Sequence, residues 1–121
     1  MITEKLFTEM ALSFSGAEQT PHFDRKGFRV TGKRMFATYL PENNTANIFL
    51  TPAEQRIFCK MHPVGIYPVP NKWGEKGATT FELGSKLPKE IIMEALLSAY
   101  TDVVKQNSKK KKNNLRNKKQ D

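Results

Sequence analysis

Phe28-Arg29-Val30-Thr31-Gly32-Lys33 is the stretch that decides the fold. Successive side chains on an extended chain point to opposite sides. Phe28 and Val30 therefore share one face, and Arg29 and Thr31 share the other. Thr31-Gly32-Lys33 is a tight-turn signal between two apolar runs. The pattern continues outward. Arg34 to Leu40 sets Phe36, Thr38 and Leu40 against Met35, Ala37 and Tyr39. Pro41-Glu42-Asn43-Asn44 reads as a loop. Thr45 to Leu50 sets Ala46, Ile48 and Leu50 against Thr45, Asn47 and Phe49. Residues 22–50 thus read as short antiparallel strands.

Helical spacing flanks this run. Leu6, Phe7, Met10, Ala11 and Phe14 recur every three or four residues, which predicts a helix from Thr3 to Phe14 with Thr3 as cap and Gly16 as stop. Thr51-Pro52-Ala53-Glu54 combines a cap, a first-turn proline and a capping box. That helix should end near Met61, because His62 precedes Pro63. Pro68 and Pro70 make residues 64–70 an edge strand or an irregular connection. Ala78 to Leu83 is a further strand. A last helix runs from about Pro88 to Lys105, with Ile91, Ile92, Ala95, Leu96, Ala99, Tyr100 and Val103 as its apolar stripe. The sum is an α+β fold, an antiparallel sheet with helices packed mainly on one face. Such a sheet leaves its other face open to solvent or a ligand.

The chain has 121 residues and a net charge of +8. That charge is not spread evenly. Residues 1–104 hold 12 Lys/Arg against 11 Asp/Glu, and residues 105–121 hold 8 against one. Two parts follow: a folded domain over 1–104 and a lysine-rich tail over 105–121, too poor in apolar residues to offset its chain entropy and expected to be disordered. Lys109, Lys110, Lys111 and Lys112, with Arg116, Lys118 and Lys119, put seven cations in eleven residues. Fully engaged on duplex phosphates, they would give a log–log salt slope of about −6. The single cysteine, Cys59, rules out an internal disulfide. The N-terminus lacks the apolar run of a signal peptide, and no stretch is long enough for a membrane span. A soluble cytoplasmic protein is expected.

Two constellations carry the functional reading. Arg25, Lys26, Arg29, Lys33 and Arg34 are interleaved with Phe23 and Phe28. Clustered cations suit phosphate, and aromatics suit stacking on bases; here both phenylalanines are expected in the core instead. The second is Lys72-Trp73-Gly74-Glu75-Lys76-Gly77, a glycine-bracketed loop. Lys72 and Lys76 are its phosphate candidates. Trp73 is expected to cap the core edge, with stacking on a base or ring as its other reading. His22 is expected to be a structural, hydrogen-bonded side chain. Cys59 and His62 have Cys-x-x-His spacing, but His22 is the only other His or Cys, too few ligands for a zinc site. Phosphate-loop, nucleophile-elbow and zinc-protease motifs are missing. The chain therefore reads as a non-enzyme without cofactor or metal. Its expected partner is nucleic acid, with a protein or small ligand as the alternative.

In combination, several landmarks resemble the MmcQ/YjbR family over roughly residues 6–104. They are Leu12-Ser13, Gly16, Glu18, Pro21-His22-Phe23, Phe28-Arg29-Val30, Gly32-Lys33, Phe36-Ala37, the Pro52–Glu54 helix start, and Trp73-Gly74 with Gly77 and Thr79. The resemblance implies a CyaY-like fold and a double-wing arrangement, in which hairpins flank a DNA-binding surface. Ala78 departs from the tryptophan often found after that glycine, and the lysine tail lies outside the pattern.

Overall fold

Thr3 opens the first helix, accepting from the Leu6 amide at 3.1 Å. This helix, α1, spans Glu4–Ala11. It stops short of the expected Phe14 because Ser13 turns its hydroxyl onto the Met10 carbonyl at 2.7 Å, a side-chain bond that competes with the helical ladder. The computed structural model describes residues 1–120, with side chains through Lys105. After α1 come β1 (Ala17–His22), β2 (Arg25–Val30), β3 (Met35–Leu40) and β4 (Thr45–Phe49). Then follow α2 (Pro52–Met61), β5 (Ile66–Pro68), α3 (Lys72–Glu75), β6 (Ala78–Glu82) and α4 (Lys89–Gln120).

The strands form one antiparallel sheet in the order β1-β2-β3-β4-β6-β5. The α+β expectation holds, and so does the capping box at Thr51 and Glu54. β5 is the edge strand that Pro68 and Pro70 suggested. β1 was not foreseen as a strand. Ala-Glu-Gln-Thr-Pro-His has no apolar alternation and contains Pro21, which suits only an edge. The segment expected as a loop at 72–77 contains one helical turn, α3, capped by Asn71, whose Oδ1 accepts from the Trp73 amide at 2.8 Å.

The core lies between one face of the sheet and α1, α2 and α4. Phe7 packs on Phe28 and Tyr39, with ring centroids 5.7 and 5.8 Å away. Phe58 of α2 meets Phe81 at 6.2 Å. Ile92, Ala95, Leu96, Ala99 and Val103 of α4 are fully buried, as their stripe predicted. The face assignment of β3 needs correction. Phe28 pairs with Ala37 and Arg29 with Met35, so Phe36 is the extra residue of a bulge. The bulge turns Phe36 onto the helical side, where it meets Phe14 and Tyr100. Ala37 and Tyr39 also face the helices, leaving Met35 and Thr38 on the open face.

α4 continues past Lys105, where the sequence reading ended it. No glycine or proline occurs after Pro88 to stop a helix. The expected disordered tail falls where no side chain is described. Among the described residues, no helix is long and apolar enough to cross a membrane.

Two glycines seat α3. A Cβ on Gly74 would stand 1.7 Å from the Val69 carbonyl oxygen, and one on Gly77 1.8 Å from that of Leu50. Gly77 also has a φ of +118°, a region side chains avoid. Gly77→Ala should therefore cost roughly 3 kcal/mol or more, from strain plus overpacking. Gly32→Ala, at a φ of +76° but with open space around it, should cost about 1 kcal/mol. Urea midpoints of the two variants check the difference.

Candidate functional site

Strand alternation sorts the remaining side chains. Register pairs Glu18 with Arg29, Thr20 with Gly27 and His22 with Arg25. It also pairs Thr38 with Asn47, Asn47 with Thr80 and Phe49 with Ala78. These residues share the face away from the helices. That face is hollowed into a cavity of about 860 Å³. The β1–β2 hairpin supplies His22, Phe23 and Arg25, and β3 with its preceding residue supplies Arg34, Met35 and Thr38. Asn47 and Phe49 line it from β4, and Asn71, Trp73 and Lys76 from the α3 segment.

His22 pairs with Arg25, so only Phe23 and Asp24 connect β1 to β2. A two-residue hairpin turn requires a positive φ at its first position, and Phe23 has φ +59°. Its side chain is 95% exposed. This overturns the core position expected for Phe23; Phe28, by contrast, is fully buried as expected. The His22 ring stands edge-on to Phe23 at 5.0 Å, so it helps form the rim. Trp73 is also corrected: it is 65% exposed and caps no core. Lys76 places its ammonium 5.2 Å from the Trp73 ring centroid, a cation–π contact.

The predicted cations separate into groups. Arg25, Arg34 and Lys76 line the cavity. Arg25 donates to the Thr38 hydroxyl across the floor at 3.4 Å. Arg29 is on the open face but is paired with Glu18 at 2.6 Å. Lys26 is on the helical face, bound to Glu4 of α1, because its register partner is Tyr39. It is therefore removed from the site. Lys33 sits half-buried in the β2–β3 turn and Lys72 opens α3 exposed, both outside the cavity lining. Lys109, Lys110, Lys111 and Lys112 lie outside the described side chains.

Sequence reasoning missed three contributors. Thr38 and Asn47 form the floor; the signal was a polar residue in mid-strand on the solvent-side period. Gln55 is buried in α2 and donates to the Gly74 and Ala78 carbonyls at 2.9 and 3.1 Å, which ties α3 to the sheet. Only the fold could reveal that bond.

On α4, burial pushes the Asp102 carboxyl up to about 6, helped by its hydrogen bond to Glu54 and the charge there. Arg34 and Lys105 pull it the other way. On the same face, between β5 and β6, Tyr67 donates to Glu82 at 2.5 Å, and its phenol is pushed up to about 12.

A family model described as YjbR matches residues 12–102. No curated protein matches the chain. The crystal structure of the Deinococcus radiodurans protein DR2400, a DUF419 domain, is similar in fold: TM-score 0.75 at 20% identity, covering 88% of this chain and 82% of that one.

Trp73 is the sole tryptophan. Its emission should lie at the red, water-exposed end and be readily quenched by acrylamide, as measured by fluorescence. Asp102 binds its proton more tightly folded than unfolded, so stability falls as pH rises from about 4 through about 6. Asp102→Asn should melt above the parent protein at pH 8, with the gap closing near pH 4.5, in paired thermal melts.

Proposed function

This chain belongs to the YjbR family, and from that premise we propose that it binds nucleic acid, DNA first, on the open face of its sheet. One observation carries the reading. The cavity is lined by Arg25, Arg34, Lys76 and His22, and by no carboxylate. This segregation occurs in a domain whose charges nearly balance. Glu18 and Glu82, the acidic strand residues of the same face, are engaged by Arg29 and Tyr67. An anionic ligand in the cavity therefore meets cations and no carboxylate in the lining itself, the exposed Asp24 and Glu75 lying in the flanking turn and in α3.

In this reading Arg25, Arg34 and Lys76 take phosphates, and Lys33 and Lys72 extend the charge at the flanks. Phosphate contacts of this kind set position and affinity, not sequence choice. The lysines at 109–112 add non-specific attraction. The protein acts in the cytoplasm as a binding protein, with no catalytic step. A second reading has its own support: Met35, Phe49, Leu50 and Val69 give the cavity an apolar lining, and its size falls in the range of small-molecule sites. A small anion with an apolar body would suit it.

Fluorescence anisotropy with labelled DNA over a salt series tests the main reading. The full chain with Lys109, Lys110, Lys111 and Lys112 changed to Gln should still bind. In that background Arg25→Ala with Lys76→Ala should flatten the log–log salt slope by roughly 2. Loss of all binding with the tail lysines, or no effect of the two cavity changes, overturns it.

A further inference from the structure

We propose that the cavity takes unpaired bases, so that the protein prefers single-stranded nucleic acid to duplex. This rests on the nucleic-acid reading above and narrows it. Cations alone do not distinguish a strand from a duplex. The aromatics do.

Phe23 and Trp73 stand at two separate rims of one cavity, the first on the β1–β2 turn and the second on α3. Both are mainly exposed, at 95% and 65%. Phe23 also holds a left-handed backbone angle that bulky residues avoid and that glycine or asparagine would fill at less cost. Apart from the edge contact with His22, the domain's own packing makes little use of this ring. A duplex keeps its base faces stacked on one another, so it offers such rings nothing to cover. An unpaired base offers a π face that stacks on Phe or Trp whatever its identity.

The space between the rims suits the same ligand. Asn47 accepts the Thr80 hydroxyl on its Oδ1 at 2.8 Å, which leaves its amide nitrogen as a donor at the floor. That nitrogen can serve a base carbonyl. Arg25 lies beside the Phe23 rim and Lys76 against the Trp73 ring, so a cation accompanies each aromatic. Alternating aromatic and cationic groups along a groove is the arrangement that tracks a strand, base on ring and phosphate on charge.

The test compares labelled oligothymidylate with a duplex of equal length, at matched salt. It uses the full chain with Lys109, Lys110, Lys111 and Lys112 changed to Gln. Oligothymidylate should bind at least about 10-fold tighter and quench Trp73 emission. Phe23→Ala and Trp73→Ala should each weaken strand binding by about 10-fold, at about one stacked base each. Neither should change duplex binding, and circular dichroism should confirm that both fold. Equal affinity for strand and duplex, or binding without quenching, overturns this inference and leaves the nucleic-acid reading standing. Thymidine monophosphate binding as tightly as the oligomer overturns the strand in favour of a small ligand. Failure of both oligomers to bind at low salt removes both readings.

Discussion

Phe7 lies against both Phe28 and Tyr39, and around that contact the sheet acquires its two different faces. Burying a side chain of this size contributes about 2–3 kcal/mol. The same face buries Val30, Ala46, Ile48 and Phe81 beneath the helices. Strand alternation then leaves the intervening residues no choice of side. Arg25, Arg29, Thr38 and Asn47 must lie on the opposite surface. The charge of that surface is a by-product of packing the other one.

Packing alone does not make a cavity. A rim is needed, and α3 supplies it. Glycine at 74 and 77 lets this single turn approach the carbonyls of Val69 and Leu50, closer than any side chain permits. Gln55 then holds it from beneath through two carbonyl bonds. Trp73 and Lys76 are thus exposed side chains on a fixed mount. The opposite rim is set by the two-residue connection between β1 and β2, which is too short to bend except through the left-handed region.

Much of this was legible beforehand, wherever local chemistry agreed with the final packing. The Thr51–Glu54 capping box, the α4 stripe, the edge position of Pro68 and the alternation of β2 and β4 all carry their structure in their spacing. Local signals failed where a residue's surroundings come from distant segments. Phe23 and Trp73 look like core residues by type, but one sits in a turn and the other on a short mounted helix. Lys26 looks like a neighbour of Arg25 and Arg29, yet alternation sends it to the helical face and Glu4. Phe36 looks like a partner of Thr38, until the bulge turns it over.

The sequence by itself determined the class of fold, the choice of helical and extended segments, and the separation of a nearly neutral domain from a basic end. Those properties depend on composition and on periods of two and 3.6 residues, which are local. Only the tertiary structure decided which cations face a common space and which are spent on carboxylates, and only it exposed the two aromatics. Those outcomes depend on register, on a bulge and on backbone approach at two glycines. These are relations between one segment's backbone and another's, some close in the chain and some distant, and no period within a single segment encodes them.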